Sequence, residues 1–261
     1  NKMTVMECYM NQQRFPVGQL NKARHQILLD GFMLCNDASI AGGNRIGDPT
    51  ELAFLEMGKR AGITKEKLEQ KCPRTGEIPF DSGRKMMTTV HKVGGRSVSY
   101  TKGSGDEILR RCTKIYTGGS IVSISASQKR DIEAAMKNMA EKALRVLALA
   151  MKENVTRPNE NDLIFVGLAG MIDPARPEAL EAIRLFDQAG VRTIMITGDH
   201  GDTALAIAKE LEIAEHSNQC ISGRELNDLT DAQLAQRIDR LRVFARVSPE
   251  HKVRIVNAFR S

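Results

Sequence analysis

The sequence has no tryptophan, three tyrosines and eight phenylalanines, so aromatic residues fill only 4% of its 261 positions. Its net charge is +6, but the basic residues are interleaved with acids, and with so few aromatics there is no continuous stripe suited to nucleic acid. No apolar run approaches the roughly 18 residues that read as a membrane-spanning helix. The longest candidate, Leu163 to Ile172, is short and broken by glycines. Asn1 to Met10 is polar and mixed, unlike a secretory leader, and the chain does not start with Met, as expected of an excised piece. The five cysteines, Cys8, Cys35, Cys72, Cys112 and Cys220, are scattered, odd in number and without C-x-x-C spacing. That argues against a disulfide framework or a zinc site and suits a reducing, cytosolic setting. What is left is the composition of a soluble globular protein with one large or two ordinary domains.

What is present is organised around Gly170 to His200. Ala179, Ala182, Ile183, Phe186 and Ala189 recur at helical spacing between Glu178 and Gln188. Gly190 suits the left-handed residue after a helix, and the run Val191 to Thr197 is rich in β-branched residues. Strand, helix and strand in this order predict a βαβ unit, whose ligands sit at the carboxyl ends of the strands. Asp173 and Thr197-Gly198-Asp199 fall at such ends. Beyond the polar break Arg157 to Asn161, the best domain boundary, segments alternate: strand 163–172, helix 178–188, strand 191–197, helix 202–211, strand 220–221, helix 231–241, strand 243–247 and helix 250–259. That alternation predicts a parallel sheet covered on both faces.

The first half reads differently. Lys22 to Asn36 is a half-buried helix, with Cys35 a small core residue. Asp48-Pro49-Thr50-Glu51 opens a second helix, where Glu51 stands either as the reciprocal partner of a capping box or free to meet a ligand. Met86 to Val93 and Arg96 to Lys102 alternate like strands around Gly94-Gly95, a two-residue hairpin turn. This register sets Val93 opposite Arg96 and Met87 opposite Lys102. By parity Lys85 then projects from the face of Lys102, two like charges that a polyanion between them would relieve. Phe80 either stacks on a ligand base at that surface or packs in the core. Asp106 to Arg111 is a short helix whose N-terminal amides would favour an anion. Ser127 to Lys142 is an amphipathic helix whose methionine stripe is core. Leu144 to Lys152 is a strand, in which Arg145 either meets phosphate or caps a sheet edge.

Several segments, in order, resemble the motifs of P-type cation-transporting ATPases, especially the calcium-pump branch. Asp173-Pro174-Ala175-Arg176 is similar to DPPR, with Ala175 in place of the second proline, and Thr197-Gly198-Asp199 to TGD. Phe80 to Lys85 resembles F-S-x-x-R-K, with Asp81 for serine; Lys102 to Asp106 resembles KGAPE; Leu144 to Ala150 resembles LRCLALA; Ala245 to Lys252 resembles ARVxPxxK. Asn1 to Val5 is similar to the segment that follows the DKTGT loop of the phosphorylated aspartate, and the chain ends before a GDGVND segment.

The resemblance implies an α+β nucleotide-binding domain, antiparallel sheet flanked by helices, over 6–157. Residues 1–5 and 158–261 would belong to a partial haloacid-dehalogenase-like α/β phosphorylation domain, a Rossmannoid parallel sheet. Phe80 would stack on adenine, and Glu51, Lys85, Lys102, Gly103, Arg145 and Leu147 would line the nucleotide pocket. Thr197 and Gly198 would meet the phosphoryl group, Lys252 would neutralise it, and Asp173, Asp199 and Arg246 would support the hinge and the approach of ATP. ATP and Mg2+ are the implied cofactors. The nucleophile and part of the magnesium site are expected outside this stretch, so the chain should bind ATP and ADP without turnover. The implied setting is the cytoplasmic headpiece of a membrane pump, with actuator and transmembrane domains as partners, a transported cation bound elsewhere, and no nucleic acid. The rival readings are a stand-alone nucleotide-binding module and a phosphatase of the same sheet family.

Overall fold

The computed structural model describes residues 3–41, 44–172 and 177–260. These form two compact units: residues up to Met139 together with those from Val146 to Ile172, and Ala140 to Arg145 together with the chain from residue 177. The first unit runs β1 (Thr4–Met10), β2 (Gln13–Pro16), α1 (Lys22–Leu34), β3 (Ser39–Ala41), β4 (Asn44–Ile46), α2 (Pro49–Arg60) and α3 (Lys65–Lys71). It continues through β5 (Arg74–Asp81), β6 (Met86–Val93), β7 (Arg96–Ser104), α4 (Gly105–Arg111), β8 (Cys112–Thr117), β9 (Ser120–Ser123), α5 (Ala126–Glu141), β10 (Leu144–Glu153) and β11 (Leu163–Ile172).

Nine strands of the described chain make one sheet, in the order β2-β1-β11-β10-β7-β6-β5, with β8 against β11 and β9 against β8. The β6–β7 hairpin has the register set by its alternation, Met87 opposite Lys102 and Val93 opposite Arg96. Gly94 and Gly95 supply the two positive φ angles, 55° and 81°, that a tight turn of the right hand for this sheet requires. On one face lie α1 and α2, each opened by a side-chain cap: Asn21 Oδ1 accepts from Ala23 N and Asp48 Oδ1 from Thr50 N, both at 2.8 Å. Phe32 of α1 and Phe54 of α2 are fully buried and stack with centroids 4.1 Å apart. Burying each contributes about 1.5–3 kcal/mol. The polar positions of β6 are buried too, because the sheet is covered on both sides here, and they are paired instead: Thr88 and Thr101 hydroxyls lie 2.9 Å apart.

Leu163–Ile172 differs from its expected place. It is antiparallel to β1 inside the large sheet, Thr4 opposite Ile172 and Tyr9 opposite Leu168, and the polar break before it merely connects β10 to β11. A nearly continuous apolar run announces burial on both faces, and a central strand of a covered mixed sheet meets that condition as well as a parallel strand does.

The second unit holds α6 (Pro177–Gln188), β12 (Met195–Ile196), α7 (Gly201–Glu210), β13 (Cys220–Ser222), α8 (Gly223–Asp228), α9 (Asp231–Arg237), β14 (Val243–Ala245) and α10 (Pro249–Arg260). Its sheet is parallel, β12-β14-β13. Only two of the residues expected as a strand over 191–197 are paired, since β12 is an edge and has a ladder on one side only. Ile221 and Phe244 pack toward α8 to α10, while Val243 and Ala245 pack toward α7, so β14 is covered on both faces.

All five cysteines are free, four of them buried. Burial pushes the thiols of Cys8 and Cys112 up to about 12, which leaves them unreactive as thiolates near neutral pH.

Candidate functional site

In the large-sheet unit the candidate residues gather around the β5–β6 turn and the paired end of β7. Lys102 is 5% exposed, and its Nζ donates to Glu51 Oε1 at 2.8 Å while lying 5.7 Å from the centroid of the Phe54 ring. The other Glu51 oxygen accepts from the backbone N–H of Asp37 at 3.1 Å. Glu51 therefore does not reach back to Asp48 as a capping-box partner. Asp48 caps the helix alone, and Glu51 crosses to the sheet. The same ammonium opposes the effect of burial on Cys35, whose thiol pKa is nevertheless raised because burial dominates. Gly103, next to Lys102, is paired with both Met86 and Ala148. A side chain there would run into the Lys85 carbonyl and Met86, so the close strand contact demands glycine.

Lys85 is not where parity put it. It lies before β6 in the turn, with φ 57°, and is exposed. A left-handed residue breaks the two-residue alternation on which the parity argument rests, so Lys85 and Lys102 do not stand as diagonal neighbours on one strand face. The mutual repulsion expected of them is also relieved without a ligand, by Glu51. Lys85 instead lends its charge to Glu107 at the start of α4, whose carboxyl is held below its usual range first by the hydrogen bond from Arg111 and then by Arg110, Arg111 and Lys85. With Asp106 and Glu107 in its first turn, α4 already has its own anions.

Phe80, on β5, is 62% exposed. The core alternative for it is thereby excluded. Leu147 is half-buried on β10 opposite Ser104. Arg84, the arginine of the F-S-x-x-R-K-like segment, places Nη1 2.5 Å from both oxygens of Glu160, a residue of the polar loop before β11 that no motif marks. Nothing in the spacing of Glu160 distinguishes it from its solvated neighbours.

The second unit has its own cluster. Thr197 Oγ1 donates to Asp199 Oδ2 at 3.0 Å and accepts from the Asp199 N–H at 3.1 Å, and Arg145 Nη2 donates to Asp199 Oδ1 at 3.3 Å. Gly198 between them is exposed, with open space around it. The backbone carries the register: Arg246, at φ 53°, donates its N–H to the Asp199 carbonyl at 3.0 Å, and Val247 to that of Thr197 at 3.3 Å. Two loops at the carboxyl ends of adjacent strands are thereby fastened together, as expected for a ligand loop of a parallel sheet. Lys252 is exposed in the first turn of α10, and the preceding His251 takes the Ser248 N–H on Nδ1 at 3.0 Å, closing the helix start. Asp173 lies outside the described residues. Among the described residues no three His, Cys, Asp or Glu side chains cluster to hold a metal, and the two Asp199 oxygens are taken by Thr197 and Arg145. No described helix is long and apolar enough to cross a membrane.

Comparison with known proteins supplies the rest. The family profile of the P-type ATPase cytoplasmic domain N matches residues 25–178, and that of haloacid dehalogenase-like hydrolases matches residues 106–260. The chain is 47% identical over 268 residues to Calcium-transporting ATPase 1 of Bacillus cereus, covering 100% of this chain and 30% of that protein. It is 38% identical over 269 residues to Calcium-transporting ATPase 1 of Lactococcus lactis, covering 100% of this chain and 31% of that protein. It is 33% identical over 235 residues to the human Calcium-transporting ATPase type 2C member 1, covering 88% of this chain and 25% of that protein. The chain thus spans about a third or less of the length of these relatives.

Proposed function

Since this chain belongs to the P-type ATPase family, we propose that it is the ATP-handling cytoplasmic part of an ATP-driven cation pump, with calcium the ion, as the names of its relatives suggest. The large-sheet unit acts as the nucleotide-binding domain, and the unit on the three-stranded sheet is part of the phosphorylation domain. One observation carries the first assignment. Of the five phenylalanines of the large-sheet unit, Phe15, Phe32, Phe54 and Phe165 are buried, and only Phe80 is held out to solvent, from a paired strand next to a cationic turn. An exposed aromatic plate with a lysine beside it suits a purine ring and its phosphates.

In this reading adenine stacks on Phe80, Lys85 meets the phosphates, and Lys102 is presented by its pairing with Glu51, with Gly103 and Leu147 forming the adjoining wall. In the second unit Thr197 and Gly198 hold the phosphoryl oxygens, Lys252 neutralises their charge, and Asp199, Arg145 and Arg246 keep the loop in register; Asp173 serves the hinge. Transfer of this kind is governed by positioning and charge neutralisation. Mg2+ would be brought by the nucleotide. The remainder of the pump, actuator and transmembrane domains, would place this part at the cytoplasmic face of a membrane.

Calorimetric titration tests the reading. ATP and ADP should bind within roughly tenfold of each other, about 1.4 kcal/mol, because the base and inner phosphates supply the contacts. Phe80→Ala should weaken both by roughly 1–3 kcal/mol with little change in melting temperature. Unchanged affinity, or a large loss of stability instead, would return Phe80 to a structural role.

A further inference from the structure

The turn that displays Phe80 is held from a part of the chain that no motif marks. Phe80 is exposed, so its position is set by its backbone, and that backbone is gripped at the residue before it: Arg84 Nη2 donates to the Pro79 carbonyl at 2.7 Å. The turn closes on itself, Arg84 N–H to Asp81 Oδ1 at 2.8 Å and Lys85 N–H to the Asp81 carbonyl at 2.7 Å. What orients the guanidinium is Glu160, 76 residues away, with Nη1 within 2.5 Å of both carboxylate oxygens. Glu160 is in turn fixed by the Thr88 hydroxyl at 3.2 Å, itself bonded to Thr101 in the buried layer of the sheet. Its side chain is 10% exposed against 32% for Arg84, so the carboxylate is the anchored end of the pair.

We propose that Glu160 is a positioning residue for nucleotide binding, which through Arg84 and the Pro79 carbonyl holds the Phe80 ring ready for the base. The proposal rests on the reading of Phe80 as the adenine platform. Released from Glu160, Arg84 gives up its hold on Pro79, the turn samples other orientations, and binding must then order it again. Lys85, at the far end of the same turn, is tied separately, its N–H to the Asp81 carbonyl and its carbonyl to the Ser104 N–H, so the expected loss is one of pre-organisation that passes mainly through the Phe80 ring.

A double-mutant cycle in the 261-residue chain, with ATP as the probe and calorimetry as the readout, decides it. Glu160→Gln should weaken ATP binding by roughly three- to tenfold on the background of intact Phe80, and by less than about 1.5-fold when Phe80→Ala is already present. Arg84→Lys, which keeps the charge but loses the two-sided fork, should behave in the same way, and it serves in place of Glu160→Gln should that variant not fold. Equal losses with and without Phe80, or unchanged ATP affinity in Glu160→Gln, would overturn the proposal, since a strap that only stabilises the sheet gives no coupling to the ring. No effect of Phe80→Ala by itself would bring down the platform reading, and this proposal with it.

Discussion

Helices α1 and α6 both carry an apolar stripe, and the two units treat those stripes in opposite ways. Leu28, Leu29, Phe32 and Met33 of α1 are fully buried against the large sheet. On α6, Leu185 and Phe186 are 59% and 51% exposed, and Val191 just after it is 53% exposed. The large sheet offers a wide floor, closed on both faces. The three-stranded sheet offers floor only beneath β14, which already has α7 on one side and α8 to α10 on the other. A periodic stripe states which face of a helix can be buried, but the area of sheet available decides whether it is.

The sharpest way to test this difference is to remove one aromatic from each unit. Phe54→Ala should cost about 3–5 kcal/mol, since it empties the stack on Phe32 under Lys102. Hydrogen exchange of the β6 amides reports that loss within the large-sheet unit alone. Lys102→Ala should cost a similar amount, about 3–5 kcal/mol, because Glu51 would be left buried without its partner. Lys102→Met together with Glu51→Leu should recover most of it, although nucleotide affinity should not return. Gly103→Ala comes next, at about 1–3 kcal/mol, from the clash with the Lys85 carbonyl.

Acid should act on the large sheet through His91. Its ring is fully buried, Nδ1 3.0 Å from the Cys72 carbonyl and Nε2 2.9 Å from the Thr89 hydroxyl, and burial pushes its pKa below the ordinary histidine value. The folded chain therefore holds this proton less tightly than the unfolded chain does. The stability it protects is complete above the unfolded value of about 6.5 and is lost as the pH falls below it toward the folded value. Urea midpoints of the large-sheet unit between pH 7.5 and 5 should fall in that direction, and less steeply in His91→Asn. The smallest effect belongs to α6: Phe186→Gln should change stability by no more than about 0.5 kcal/mol, since its ring already stands half in water. A loss of several kcal/mol there would mean that the face is covered, and the contrast between the two helices would fail.

The parts legible in the sequence are those whose cause is local. The β6–β7 register followed from alternation and two glycines, and the helix start at Asp48 follows from residues within a turn of it. The TGD and ARVxPxxK segments were legible as loops at strand ends, and they do meet, through the Arg246 and Val247 amides. What was hidden depends on long-range pairing. Nothing near Glu51 announces that it will cross to Lys102 instead of closing its own helix, nor does anything near Glu160 announce Arg84. Lys85 was misplaced by a single backbone angle. Strand β11 was read correctly as a strand but assigned to the wrong sheet, since two-sided burial leaves the same mark in both.

The place of β11 has one more consequence, and it concerns time. It lies between β1 and β10, so the sheet has an open slot until the last strand of this unit has been made. As the chain leaves the ribosome, β1 and β2 wait for most of the unit to be synthesised, on the order of ten seconds at ordinary translation rates. Throughout that interval Thr4 to Tyr9 have no ladder partner on the side that β11 will fill, and that edge of β1 is open to any other strand. Closing so long a loop adds little free energy, roughly 0.6 kcal/mol per doubling of length, so the hazard is exposure and not instability. A nascent chain halted before Leu163 should be sticky, and one carried ten residues further should not.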